Sequence, residues 1–151
     1  MKQNMKIATK LPVLALLSSA PLPAMAHVHA QTSGATPGAT IEIALEVGHG
    51  CAGAATTGLR VALPEGIAEA RALPIAGWQA TAGPREVGWT GGPLPDGTRQ
   101  RFVLSATLST SAAGTLTLPV VQDCGQTSLR WIDADPAAET PAPTISVLPA
   151  K

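Results

Sequence analysis

The chain is poor in aromatic and in charged residues. Aromatic side chains make up 3% of the 151 positions and charged ones 13%; tyrosine is absent, and only two cysteines and three histidines occur. Four aromatic residues leave little material for an exposed platform that could hold a sugar chain. The sequence also lacks a Ser-His-Asp order, a paired-carboxylate motif and a phosphate-binding loop, so hydrolytic chemistry has little support.

The first 26 residues have the three regions of a secretory signal peptide. Three lysines form a positive start, residues 11–20 form a short apolar segment, and Ala24-Met25-Ala26 has the small-x-small pattern of a cleavage site. The apolar segment is too short to span a membrane, and no later apolar run approaches that length. We therefore expect residues 1–26 to be removed and residues 27–151 to be exported.

The mature chain would have 125 residues, which suits one domain with a real core. Export removes three of the ten Lys and Arg residues and none of the ten Asp and Glu residues, so the mature net charge is −3. A mildly acidic domain with scattered arginines lacks the basic patch that nucleic-acid binding requires, and its charge does not favour binding to anionic membrane surfaces.

Cys51 and Cys124 are an even, minimal pair in a chain expected to enter an oxidising compartment. Such a pair is best interpreted as one disulfide. A pair of thiolate metal ligands is the weaker alternative, because the flanking residues do not form a Cys-x-x-Cys motif.

Short β-strands are predicted through most of the mature chain, because apolar and polar residues alternate between Gly and Pro turns at steady spacing. The Ala-rich stretch 67–73 is predicted as a helical turn, and residues 134–144 as a surface segment or tail. We expect an all-β fold: a single antiparallel β-sandwich of immunoglobulin or cupredoxin type, stapled by one disulfide. Strands are expected at 40–47, 59–63, 102–108, 116–120, 129–131 and 145–148.

His27 would be the first residue of the mature chain. A chain that begins with histidine offers a free α-amine and an imidazole, and both can bind one metal ion in a six-membered chelate ring. These nitrogens suit Cu(II), which has the highest affinity among divalent first-row metals. The amine, with a reference pKa of about 8, must lose its proton to bind, so binding should weaken as the pH falls. The sequence thus predicts a copper site that proteolysis creates.

Several short segments have a specific order and spacing along the mature chain. They are His27-Val28, Val47-Gly48-His49-Gly50-Cys51, 60–66, Gly77-Trp78, 89–97, and 119–125 with Trp131 and Ala142-Pro143. Together they resemble the YcnI-like family of exported copper-binding proteins. The resemblance implies a β-sandwich over residues 27–151, a periplasmic location and a Cu(II) site of mono-histidine brace type. In that site the amine and imidazole of His27 bind the metal, and the indole of Trp131 stands beside it.

Position 49–50 departs from the family pattern. Some relatives carry Asn-Glu there, and the Glu assists metal binding, whereas this chain has His49-Gly50. His49 is therefore a candidate for a further copper ligand. The equally weighted alternative is a structural histidine at a strand end beside Cys51.

His29, the third mature residue, offers a rival binding mode. A free N-terminus with histidine at position three can wrap Cu(II) through its amine, two deprotonated amides and the His29 imidazole. Val28 permits this mode, whereas proline would forbid it. We expect the brace if the fold pins His27, and the wrapped mode if the N-terminus is frayed.

The leading functional hypothesis is an exported, non-enzymatic Cu(II)-binding protein that acts as a periplasmic copper chaperone or homeostasis factor, with a copper-delivery partner protein possible. One alternative is a copper-dependent polysaccharide oxygenase, which would need His27 and His49 together as a two-histidine brace. The other is a metal-free interaction module, in which His27 at the mature start is an accident of cleavage.

Overall fold

The structure, a computed structural model, describes residues 27–149, so the predicted signal peptide at 1–26 lies outside the described residues. Within residues 27–149 no helix is long and apolar enough to cross a membrane. The regular elements of this range are strands. They are β1 (His29–Gln31), β2 (Thr40–Val47), β3 (Thr56–Ala62), β4 (Ile67–Ala72), β5 (Trp78–Gly83), β6 (Glu86–Leu94), β7 (Gln100–Leu108), β8 (Thr115–Thr117), β9 (Val120–Cys124), β10 (Thr127–Trp131) and β11 (Thr144–Ser146).

Two antiparallel sheets enclose one hydrophobic core. The first sheet has the order β1-β2-β7-β4 and the second the order β10-β9-β3-β6-β5, while β11 and β8 form a small third sheet. The fold prediction is therefore confirmed: the described chain is an all-β antiparallel sandwich.

The core follows from the alternation of residues in the strands. In β7 every second side chain, from Phe102 to Leu108, is buried, and β2 buries Ile43 and Leu45 opposite it. Phe102 meets Trp89 of the second sheet with ring centroids 5.3 Å apart. Burial of each such large apolar side chain contributes roughly 1.5–3 kcal/mol, so the inner faces of the two sheets hold the sandwich together.

Two local expectations need correction, and one of two alternatives is confirmed. Residues 67–72 are not a helical turn but strand β4, because their backbone pairs with β7, and Ile67 is buried while most of the alanine-rich remainder lies outside the core. The strand predicted at 116–120 is divided into β8 and β9 at Pro119, which cannot donate a ladder hydrogen bond. Of the two alternatives for residues 134–144, the surface segment is confirmed for residues 134–141, since these are exposed or half-buried, Asp133 bridges Pro141 and the chain continues into β11 at Thr144.

The disulfide forms as predicted. It joins Cys51, in the loop between β2 and β3, to Cys124 at the end of β9, with the Cα atoms 5.9 Å apart. Both cysteines are buried. The bond ties the loop between β2 and β3 to the end of β9.

Candidate metal centre

His27 and His49, 22 positions apart in sequence, lie against a single tryptophan at one end of the sandwich, and His29 lies beside His27. The ring of His27 lies 6.1 Å from that of Trp131, and the ring of His49 lies 5.8 Å from it, measured between centroids. His29 is 6.1 Å from His27 by the same measure. The fold therefore brings His27 and His49, both predicted for a metal site, against the same indole, with the predicted His29 next to His27.

Trp131 is fixed in place by its strand and by a hydrogen bond. It is the last residue of β10, it pairs with Val120 of β9, and it is 3% exposed. Its indole N–H donates to Oε1 of Gln122 over 3.0 Å. The planes of the His27 and His49 rings stand at 66° and 70° to the indole, so both imidazoles meet it nearly edge-on.

His49 lies in the loop after β2, half-buried, and its Nδ1 is 2.6 Å from the carbonyl oxygen of Gly50. Because a carbonyl oxygen only accepts, Nδ1 carries the hydrogen and the lone pair of the neutral ring is on Nε2. A histidine that donates one ring N–H to a backbone carbonyl is typical of metal ligands, since the bond sets the tautomer and the ring orientation.

Gly50 is glycine for a steric reason. The next four residues form a tight turn in which Cys51 and Ala54 exchange two backbone hydrogen bonds, each 3.0 Å long. A Cβ atom at position 50 would overlap the carbonyl oxygen of Ala54. The Gly50 N–H also donates to Oδ1 of Asp96 over 2.7 Å. This loop therefore has no room for a carboxylate side chain at position 50, and His49 is the polar side chain that it presents.

His27 precedes β1 and has one ring atom buried without a partner. Its Nε2 is shielded from solvent and has no hydrogen-bond partner among the described residues. A cleft of about 360 Å³ lies beside it, lined by His27, His29, Pro141 and neighbouring residues. In the unprocessed chain the backbone nitrogen of His27 is an amide joined to Ala26, so the amine arm of the proposed chelate exists only after cleavage.

His29 is exposed and opens β1, where it pairs with Glu46 of β2. The residue before it, Val28, is only 3% exposed and belongs to the hydrophobic core. The N-terminus is therefore anchored at its second mature residue. Wrapping a metal with the amides of Val28 and His29 would require this segment to leave its place in the fold.

Side chains alone do not complete a metal site here. Within residues 27–149 no group of three or more His, Cys, Asp or Glu side chains is placed to hold an ion. Both sulfurs are joined in the disulfide, so the alternative of two thiolate ligands is wrong. A metal at this end of the sandwich would need the backbone amine in addition to the imidazoles.

Gln122 is the residue that sequence reasoning missed. It is 0% exposed, at the middle of β9, where Val120, Gln122 and Cys124 all point inward. A glutamine at an inward strand position is the sequence signal that could have revealed it, because buried amides are retained only with hydrogen-bond partners.

The neighbour of Gln122, Asp123, points outward and pairs with Arg60 over 3.1 Å. The hydrogen bond to Asp123 raises the pKa of Arg60 above its ordinary value.

A larger cleft, of about 450 Å³, lies on the outer side of the first sheet. Its lining includes Gln31, Glu42 and Arg101 but no histidine. This cleft lacks the histidine nitrogens and the buried surroundings found near Trp131, so it is not a candidate for the metal centre.

Comparisons with known proteins give a family and one solved structure that supports this fold. The model of the family described as "Domain of unknown function (DUF1775)" matches residues 27–84 and 79–147. A crystal structure of an uncharacterized protein from Nocardia farcinica, described as having an immunoglobulin-like fold, is 32% identical, with a TM-score of 0.71 over 80% of this chain and 97% of that one. A structure of a cohesin–dockerin complex from Clostridium thermocellum is 13% identical over 81% of this chain and 99% of that one, with a TM-score of 0.44. No curated protein gives a significant match.

Proposed function

Because the chain belongs to the DUF1775 family, whose description states no function, we propose a function from the geometry of its own residues. The protein is an exported Cu(II)-binding protein that serves as a periplasmic copper chaperone or homeostasis factor. Removal of residues 1–26 frees the amine of His27, and this amine and the His27 imidazole bind Cu(II) as a brace. His49 supplies a further nitrogen, and Trp131 lies beside the metal without binding it.

The observation that carries this proposal is the convergence of His27 and His49 on one buried indole, with ring centroids 6.1 and 5.8 Å from Trp131. Imidazole and amine nitrogens form a donor set that Cu(II) prefers over harder cations such as Ca²⁺ or Mg²⁺. The resemblance to YcnI-like copper proteins supports the same donor set. The family match also begins at residue 27, the predicted first residue of the mature chain.

The anchoring of the N-terminal segment favours the brace over the wrapped mode. In a six-membered chelate with the amine, His27 binds through Nδ1, which leaves the hydrogen on Nε2. That Nε2 is the atom shielded from solvent, and the adjoining Val28 is in the core. The fold thus holds the first residue in place, which is the condition under which the brace, rather than His29, is expected to bind the ion.

A carrier is favoured over a polysaccharide oxygenase by the position of the aromatic side chains. Trp89, Trp131 and Phe102 are buried, and Trp78 is half-buried against Phe102. None of these four rings forms an exposed flat surface on which a sugar chain could stack. We therefore propose binding and transfer of copper, not turnover, as the function.

The test is Cu(II) binding by protein with an authentic His27 start, measured by electron paramagnetic resonance and by competition with a chelator of known affinity. The matched control carries one extra residue before His27, which converts the amine into an amide. We expect one tightly bound Cu(II) in the authentic protein only, with fewer than four equatorial nitrogens, and loss of tight binding in His27→Ala.

Equal binding by the authentic and extended proteins, or full affinity in His27→Ala, would overturn the brace. A four-nitrogen spectrum that disappears in His29→Ala would instead establish the wrapped mode. Thermal unfolding of each variant checks that the fold is intact, so that loss of copper is not mistaken for loss of structure.

A further inference from the structure

The most unusual polar side chain in the core is Gln122. It is one of two buried polar residues among the described positions, and the other, Thr56, is bonded to it. Burying an amide without partners costs about 1–3 kcal/mol, so its hydrogen bonds must account for its presence.

Each polar atom of the Gln122 amide is engaged with a specific partner. Nε2 donates to the carbonyl oxygen of His49 over 2.6 Å and to Oγ1 of Thr56 over 2.7 Å. Oε1 accepts from the indole N–H of Trp131 over 3.0 Å. The orientation of the amide is therefore determined, because an indole N–H only donates and a backbone carbonyl only accepts.

These bonds link the two parts of the candidate metal centre that come from different segments. His49 belongs to the loop after β2, and Trp131 ends β10 on the edge of the second sheet. Gln122 lies on β9, next to both in the fold, and contacts one segment through its nitrogen and the other through its oxygen. A valine or leucine at this inward position would suit the core but would leave the His49 carbonyl and the indole without these bonds.

We propose that Gln122 is a positioning residue for copper binding: its amide sets the position of the His49 loop relative to Trp131, and so prepares His49 to act as a ligand. This inference rests on the proposed function. Gln122 itself does not bind the metal. Residues that orient a metal ligand by hydrogen bonding, without binding the metal themselves, typically contribute 10- to 100-fold to metal affinity.

The Cys51–Cys124 disulfide joins the His49 loop to β9, the strand that carries Gln122, but has a different effect. Cys51 follows His49 by two residues, and Cys124 follows Gln122 by two. The disulfide limits how far the segments can separate, whereas the three hydrogen bonds of Gln122 determine how the loop and the indole are oriented. Removing the amide should therefore alter the site while the disulfide keeps the segments joined.

The experiment is a double-mutant cycle for Cu(II) affinity between Gln122→Met and His49→Ala, in protein that begins at His27. Methionine fills a similar volume but cannot reproduce these hydrogen bonds. We expect Gln122→Met to weaken binding by about 10- to 100-fold and to remove one equatorial nitrogen from the resonance spectrum. In the His49→Ala background the same substitution should change the affinity by less than about twofold, because Gln122 acts through His49.

The control is Trp89→Phe, which removes another buried indole hydrogen bond, from Trp89 to the carbonyl oxygen of Leu73 over 2.8 Å. It should lower stability without changing the spectrum. Should Gln122→Met fail to fold, Gln122→Glu, which keeps an acceptor for the indole, replaces it in the cycle.

The outcomes separate the two proposals. If the unsubstituted protein binds no copper, the proposed function fails. If it binds copper, then unchanged affinity in Gln122→Met, unchanged affinity in His49→Ala, or an equal loss from Gln122→Met in both backgrounds would overturn the positioning role alone. Loss of affinity that depends on His49 supports it.

Discussion

At the scale of single residues, Trp131 is both a core side chain and a neighbour of the proposed ligands. It is 3% exposed, yet both His27 and His49 contact its ring. The sequence analysis placed Trp131 beside the proposed site, and the structure shows that it is also a core side chain. Its hydrogen bond to Gln122 allows this, because the indole N–H needs a partner wherever it is buried.

Trp131 also supplies an optical test of the site. We expect Cu(II) to quench the tryptophan fluorescence of the authentic protein, and Trp131→Phe to remove most of that quenching. Trp78 is the matched control, because it packs on Phe102 with centroids 4.9 Å apart rather than on a histidine. Trp78→Phe should keep the quenching. If the fluorescence of a variant with Trp131 as its sole tryptophan does not change when Cu(II) is added, the indole does not lie at the copper site.

Gly50 shows how one residue decides which ligand a loop can offer. The sequence shows that a glycine stands there and that a histidine precedes it. Only the folded loop shows that the Cys51–Ala54 turn closes against position 50, where a Cβ atom would overlap a carbonyl oxygen. This loop geometry therefore requires glycine at position 50.

At the scale of elements, we expect the short strand β1 to decide between the two proposed binding modes. It pairs with β2 over His29, Ala30 and Gln31, and Val28 before it is buried. We expect Val28→Asp to release the N-terminus, because a carboxylate in the core costs more than the valine contributes. Copper bound to that variant should then give a four-nitrogen spectrum through His29.

The control for this change is Val28→Ile, which keeps an apolar side chain and should keep the spectrum of the unsubstituted protein. The double variant Val28→Asp, His29→Ala should lose tight binding. A Val28→Asp protein with an unaltered spectrum would show that the anchoring of β1 does not select the mode.

Strands could be predicted from the sequence where one face of the strand is buried and the other is exposed, because apolar and polar residues then alternate along the chain. β2, β7 and β10 meet this condition and were expected. β5 and β6 were not, because β5 is an edge strand with mostly exposed side chains. In β6, Gly91 and Gly92 interrupt the pattern where the Trp78 ring and backbone approach too closely for a Cβ atom.

At the scale of the whole molecule, the disulfide links residues 73 positions apart. In the chain-entropy model a loop of this length contributes about 4 kcal/mol to the free energy of unfolding. We expect the Cys51→Ala, Cys124→Ala protein to unfold at a much lower denaturant concentration, measured without metal.

Reductant should lower the unfolding midpoint of the unsubstituted protein and leave that of the double variant unchanged. A midpoint that does not respond to reductant, in protein whose thiols are shown to be released, would contradict the prediction. The same variants should bind copper more weakly, because His49 lies two residues from Cys51.

The sequence by itself determined the class of fold, the disulfide pairing and the histidines that a metal site would use. The alternation of apolar and polar residues reflects which face of each strand is buried. Two cysteines can form only one disulfide, and three histidines leave few choices of imidazole ligand for a metal site. The tertiary structure alone decided that the segment before β1, the β2–β3 loop and the end of β10 meet at one end of the sandwich. It also decided that Gln122 connects them and that position 50 has no room for a side chain. These features depend on strand order and on contacts between distant segments, which no local pattern in the chain encodes.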